Sequence, residues 1–255
     1  MGPFEYALLA RLERDGVRRF AFGDAVQAFP DAGRQVLRNT LSKLARKGRL
    51  HRIRRGEYLL VPLKEEDYAL HELALAAQFY PDGYVSFLSA LAFHGLTTQL
   101  PTVVQVAVRK PARKHVFLNV KYEPVRVAER FYGGFKTISF GGGKVKMALK
   151  EKAILDCLLR PDECGGVGAA CKALRESFAE LDWSTIDYFL KKMSNSAVER
   201  RLYYCIAFLG KKNPLVLPPK KFVGYRKLDS SKPARGKYDS RYGLRINVDL
   251  KEELG

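Results

Sequence analysis

Apolar positions recur along this chain with two periods, one near 3.6 residues and one of two, and the switches between them mark out the elements. In PFEYALLARLER, Ala7, Leu8 and Leu12 form one stripe, with Arg11, Glu13 and Arg14 outside it. This predicts a first helix from Pro3 to Arg14, ended by Asp15-Gly16. Arg19-Phe20-Ala21-Phe22 is short and extended. Asp24 to Gln27 has capping-box spacing, so a short second helix is expected with Asp24 as its N-cap, stopping before Pro30. Leu37, Leu41 and Leu44 then recur at helical spacing and predict a third helix from Ala32 to Lys47, capped by Asp31. From Leu50 to Val61 the chain reads as a hairpin. Leu50-His51-Arg52-Ile53 and Tyr58-Leu59-Leu60-Val61 are its strands, Arg54 to Glu57 is its turn, and Gly56 supplies a left-handed position. Pro62 closes this unit.

The pattern changes at Lys64. Glu65 to Tyr80 reads as a helix, broken by Pro81-Asp82-Gly83, and Ser86 to Gly95 as a mostly buried helix with Gly95 as its C-terminal stop. Strands are expected at Val103 to Val108, His115 to Tyr122, Lys136 to Phe140 and Lys144 to Met147. Gly141-Gly142-Gly143 joins the last two as a hairpin turn, since no Gly-Lys-Ser/Thr opens a following helix as a phosphate loop requires. Helices follow at Lys150 to Leu159, Val167 to Phe178, Ser184 to Met193 and Ser196 to Leu209. A Pro-rich basic stretch then leads to a strand at Leu244 to Val248. The expected class is α+β in two domains, residues 1–63 and residues 64–255, the second larger and mixed.

Composition sharpens the functional side. Among 255 residues, 45 Lys and Arg face 27 Asp and Glu, a net charge of +18, which favours a polyanionic partner. The excess is clustered. Between Asp31 and Glu57 there is no acidic residue, while Arg34, Arg38, Lys43, Arg46, Lys47, Arg49, Arg52, Arg54 and Arg55 all fall there. Gln35, Asn39, Ser42 and Arg46 lie opposite the leucine stripe, flanked by Arg34, Arg38 and Lys43. Gln, Asn and Arg can pair bidentately with base edges in a major groove, and Lys and Arg grip phosphates. A bland solvated face would mix both signs of charge. A basic helix followed by a basic hairpin is the layout of a winged helix-turn-helix. The candidate DNA-binding set is therefore Arg34, Gln35, Arg38, Asn39, Ser42, Lys43, Arg46, Arg52, Arg54 and Arg55, with the last two at the tip of the wing.

Other chemistry finds little support. Cys157, Cys164, Cys171 and Cys205 form no C-x-x-C pair and His is scarce, so neither a metal site nor a cofactor is expected. The cysteines read as buried thiols of a reducing cytoplasm. No apolar run approaches the ~20 residues that span a bilayer. Glu151 and Asp156, five apart on one helix, diverge and form no ready metal pair; Asp156 is a better partner for Arg160. His94 fits a core or supporting role. Lys220, Lys221, Tyr225, Arg226, Lys227, Arg235, Lys237, Tyr238, Arg241 and Tyr242 offer aromatics among cations, either a second nucleic-acid surface or a basic tail packed by its rings.

Several segments resemble the AbiEi antitoxins, the regulator half of type IV toxin–antitoxin systems. KGRLHRIRRGEYLL is similar to the end of the family's N-terminal winged helix. Tyr84 to Leu91 with His94-Gly95-Leu96, Glu151 to Asp156, the loop Pro161 to Gly166, Arg200 to Tyr204, and Asp239 to Asn247 resemble motifs of its second domain, in order and over nearly the whole chain. Tyr203 stands where the family commonly has Gly. The resemblance implies a sequence-specific DNA-binding autorepressor that acts on the operator of its own operon, as a possible homodimer on double-stranded DNA. It also implies a nucleotidyltransferase-like toxin as genetic partner, with or without a stable complex. The first competing expectation is a nucleic-acid-processing enzyme, a nuclease or DNA glycosylase, targeted by the winged helix; the second is an RNA-binding or toxin-binding module whose winged helix serves as a protein contact. For the enzyme reading, no catalytic residues can be assigned from the sequence.

Overall fold

The computed structural model describes residues 1–61, 72–99, 101–117, 119–140, 143–215 and 222–254. They form a mixed α+β structure with two hydrophobic cores. The smaller core is built by α1 (Pro3–Arg14), β1 (Arg19–Ala21), α2 (Phe22–Ala28), α3 (Arg34–Arg46), β2 (Leu50–Arg54) and β3 (Glu57–Leu60). Leu8, Leu9 and Leu12 of α1 close over Leu37, Leu41 and Leu44 of α3. Each such leucine contributes about 1.5–3 kcal/mol by leaving water. Leu9 takes the buried position expected of Ala7, which is exposed, because the stripe drifts across the helix at 3.6 residues per turn. The three strands pair antiparallel in the order β1-β3-β2.

Two caps differ from expectation. α3 begins at Arg34 with Gly33 as its N-cap, so exposed Asp31 caps nothing. α2 begins at Phe22, and Asp24 sits at its third position, accepting the Ala21 N–H at 2.7 Å. The carboxylate thus reaches back from the first turn to the N–H of the residue before the helix, and does not cap the N–H groups that follow it.

The larger core holds α4 (Glu72–Phe79), β4 (Tyr84–Val85), α5 (Phe87–Phe93), β5 (Val103–Val108), β6 (His115–Phe117), β7 (Val120–Arg126), β8 (Phe135–Phe140) and β9 (Gly143–Ala148). These strands make one six-stranded sheet, ordered β6-β7-β5-β4-β9-β8. The expected strand from His115 to Tyr122 is in fact two, paired antiparallel, with Asn119 in the left-handed region (φ 64°) between them. The Glu65–Leu70 part of the helix expected from Glu65, its next residue His71, Pro62, Lys64, the boundary at 63/64, Gly141 and Gly142 lie outside the described residues. β8 and β9 nevertheless pair antiparallel up to Phe140↔Gly143.

Helices α6 (Lys150–Leu159), α7 (Val167–Ser177), α8 (Trp183–Met193) and α9 (Ser196–Phe208) pack together beside the sheet. A small sheet of β10 (Arg226–Lys227), β11 (Lys237–Asp239) and β12 (Leu244–Ile246), ordered β10-β12-β11, precedes α10 (Leu250–Leu254). Arg200 and Arg201 of α9, both buried, fasten this last sheet. Arg200 donates to the carbonyls of Val223, Gly224 and Gly243 at 2.6–2.9 Å. Arg201 donates to Leu158 O at 2.6 Å and to Lys227 O at 3.2 Å.

The two cores share a seam at the hairpin. Tyr58 and Leu60 face the smaller core, while Ile53 and Leu59 face the larger one. Adjacent side chains on a strand point to opposite faces, so one hairpin serves both. No helix among the described residues is long and apolar enough to cross a membrane.

Candidate nucleic-acid interface

All ten residues singled out from the sequence are exposed. On α3 this follows from the leucine stripe: with Leu37, Leu41 and Leu44 at 0% exposure, Arg34, Gln35, Arg38, Asn39, Ser42, Lys43 and Arg46 are left on the water side. Gln35 Nε2 donates to Asn39 Oδ1 at 3.1 Å. The guanidinium groups of Arg34 and Arg38 lie over the Phe22 ring, 5.8 and 5.2 Å from its centroid. Such contacts are worth about 0.5–1 kcal/mol at exposed sites, enough to bias where the cations point. Lys47 is committed elsewhere, to Glu5 at 2.6 Å, tying the end of α3 to the start of α1.

The hairpin divides its cations. Arg54 pairs with Glu57, which also accepts from Arg19 at 2.6 Å. Arg54, with help from Arg19, holds the Glu57 carboxyl below the usual carboxylate range. The sequence expectation grouped Arg54 with Arg55 as equal tip cations, but the structure distinguishes them. Arg52 and Arg55 are exposed and form no ion pair among the described residues, and Gly56 turns the chain with φ 77°.

Two features escaped the sequence reading. Val36 is 54% exposed on the polar face of α3, where an apolar group can meet a thymine methyl. It sits one residue before the buried stripe, and the absence of an apolar residue four positions later, at Thr40, was the available signal. The second is the exposed loop Arg109-Lys110-Pro111-Ala112-Arg113-Lys114 between β5 and β6, which stands beside the hairpin. Its charge run was visible, but nothing in the sequence said which surface it joins.

The seam beneath the hairpin is aromatic. His51 of β2 and His115 of β6 meet with ring nitrogens 3.3 Å apart. His115 stacks on Phe79 at 4.6 Å, and His51 meets Phe79 and Phe117 edge-on. Burial, then His51 and Arg113, push the His115 pKa down to about 4, and burial lowers that of His51. Arg19 Nη1 adds a bond to Gln78 O at 3.0 Å.

In the second unit the titratable groups form a closed cluster. Asp156 does not reach Arg160; it pairs with Lys152 one turn earlier, and its Oδ2 accepts from Ser86 Oγ at 2.7 Å and Tyr84 OH at 3.1 Å. Lys152 Nζ also donates to Tyr84 OH at 3.0 Å. All four residues are fully buried. Burial pulls the Lys152 ammonium down and raises the Tyr84 phenol well above its ordinary value. Arg160 instead pairs with Asp162 and Glu163, because it lies past the end of α6 and outside the core. Glu151 accepts the Asp182 N–H at 3.0 Å, and His94 Nε2 lies 2.7 Å from Ala148 O. The four cysteines are free and buried. No group of three or more His, Cys, Asp or Glu side chains among the described residues is placed to hold a metal.

The aromatic and basic C-terminal region is split. Tyr225 and Tyr238 are exposed and touch edge-on at 4.7 Å, with Arg245 over Tyr238 at 5.0 Å. Tyr242 is buried against Tyr204. Lys220 and Lys221 lie outside the described residues.

No family model and no curated protein matches this chain. Its fold is similar to that of the crystal structure of the RV2827C protein from Mycobacterium tuberculosis, with a TM-score of 0.63 at 14% identity, over 96% of this chain and 92% of that one. The likeness therefore embraces both units and is a likeness of fold.

Proposed function

We propose that this chain is a winged helix-turn-helix protein that binds duplex DNA sequence-selectively and represses transcription. α1 to α3 with the β1-β3-β2 sheet would form the winged helix, in residues 1–63, and the remainder a second domain, residues 64–255. α3 enters the major groove, where Gln35, Arg38 and Asn39 read base edges. Arg34, Lys43 and Arg46 contact phosphates, and the hairpin acts as the wing. The observation that carries this reading is the polar face of α3, exposed throughout, with Gln, Asn and Arg at its centre and no carboxylate on the helix.

The resemblance to the AbiEi antitoxins extends the proposal. The chain would repress its own operon in the cytoplasm and counter a nucleotidyltransferase-like toxin encoded beside it. A gel shift with DNA from upstream of its gene, across a salt series, tests the DNA reading. Binding should be selective for that DNA over a shuffled duplex and should weaken steeply with salt. Equal competition by the shuffled duplex overturns it.

A further inference from the structure

Between the hairpin and the loop at residues 109–114 lies an open cleft of about 570 Å³. One wall carries Arg52, Arg54 and Arg55, and the other carries Arg113. Ile53, Phe79 and Tyr80 are among its apolar and aromatic lining, and no carboxylate lines it. Lys110 lines the adjoining hollow of about 310 Å³, which shares Arg54 and the same aromatic floor and has Asp82 as its one carboxylate against Arg19, Arg54, Arg109 and Lys110. Not all of these cations are equally available. Arg54 is paired with Glu57, Arg109 with Glu129 and Lys114 with Glu123. Arg52, Arg55, Lys110 and Arg113 have no ion pair among the described residues, so the uncompensated charge sits on both walls.

We propose that this cleft grips the phosphate backbone of the same duplex that α3 reads, so that the second unit forms part of the DNA contact. The proposal rests on the DNA-binding reading above. Cations distributed along two walls suit a chain of phosphates, whereas a single bound anion needs donors converging on one point. The hairpin supplies one wall and belongs to the candidate interface already, so any backbone held by Arg52 and Arg55 passes within reach of the opposite wall. The loop is also held in place before binding. Tyr80 OH lies 2.7 Å from Arg113 O and 3.1 Å from Tyr122 O, and Pro111 stiffens the chain between the cations. Little ordering remains for the DNA to impose.

The test compares full-length wild type with the Lys110→Ala/Arg113→Ala double variant. It measures affinity for a mixed-sequence duplex about three helical turns long as salt is raised. The double variant should bind about ten-fold more weakly at low salt, and its slope of log K against log salt should be shallower by about two. Its preference among bases should be unchanged. A charge-matched double variant at the opposite end of the six-stranded sheet from β6, Lys136→Ala/Lys144→Ala on β8 and β9, should bind like wild type. The proposal is overturned if the loop variant keeps wild-type affinity and slope, or if the Lys136/Lys144 variant loses as much, since the effect is then bulk charge. It is equally overturned if single-stranded RNA of the same length binds more tightly than the duplex and suffers the larger loss. If wild type binds the duplex selectively and only the loop variant is silent, the cleft alone fails. If wild type binds no duplex, the DNA reading fails with it.

Discussion

Gln35 and Asn39 stand one turn apart on the outer face of α3 and are joined by a hydrogen bond of 3.1 Å. The bond restrains both exposed amides and leaves the Gln35 carbonyl oxygen and the Asn39 amino group as an acceptor and a donor, the two kinds of group that pair with adenine. Asn39→Ala should therefore lose its own contact and loosen Gln35 as well. Discrimination at the affected base positions should fall by about 1–3 kcal/mol, and Arg38→Ala should do the same at a neighbouring one. Binding to a set of duplexes with single-base changes measures this, and an unchanged base preference would remove α3 as the reading element.

The pairing of Arg54 with Glu57 predicts an inequality in the hairpin. Arg55→Ala should weaken binding to all sequences alike, about several-fold, and make the salt slope shallower by about one. Arg54→Ala should do less, because part of its charge is already answered within the protein. The reverse order in a salt titration would show that Arg54 leaves Glu57 on binding.

Lys152 and Asp156 are buried with Tyr84 and Ser86 in one hydrogen-bonded cluster, which makes them sensitive in pairs. Lys152→Met alone should destabilise the protein by roughly 3–5 kcal/mol, since it strands a buried carboxylate. Lys152→Met combined with Asp156→Leu should cost clearly less than the two single changes added together. Urea denaturation of the three variants provides the comparison, and simple additivity would mean that the two charges do not support each other.

The two histidines at the seam set a pH dependence whose sign is fixed by their environment. Burial lowers the His115 pKa from 6.5 to about 4, so the folded state binds fewer protons than the unfolded state between those values. Stability from this site is present above pH 6.5 and is lost as pH falls toward 4. His51 shifts in the same direction, and after burial the neighbouring His51 and Arg113 further disfavour a protonated His115. His115→Gln should flatten the loss of stability between pH 7 and pH 5, read as the midpoint of urea unfolding at each pH. If the variant falls as steeply as wild type, the acid sensitivity lies elsewhere.

The sequence made the faces of α3 legible because a leucine every third or fourth residue leaves one arrangement for everything else. It also showed the hairpin and the bounds of α6 closely. It did not show which of two residues a charge would choose. Lys152 and Arg160 both stand four positions from Asp156, and only packing reveals that Lys152 is inside with it while Arg160 is not. The division of the strand expected at His115 to Tyr122 was hidden for a similar reason: its apolar residues suit a strand, and the break depends on Asn119 adopting a left-handed conformation. The loop at residues 109–114 was readable as basic, but its place beside the hairpin is a long-range fact that no local pattern encodes.

Ile53 and Leu59 spend their apolar surface on the core of the other unit. The unit built by α1 to α3 and the hairpin is consequently not a detachable head. Residues 1–61 cut away from the rest would carry two uncovered aliphatic side chains on the back of their sheet and would tend to associate through them. A graft of this segment onto a foreign partner would succeed only where that partner offers an apolar floor like that of Phe79 and Phe117. Selection acting on the second unit's packing therefore also constrains the hairpin, even if none of its exposed cations is altered.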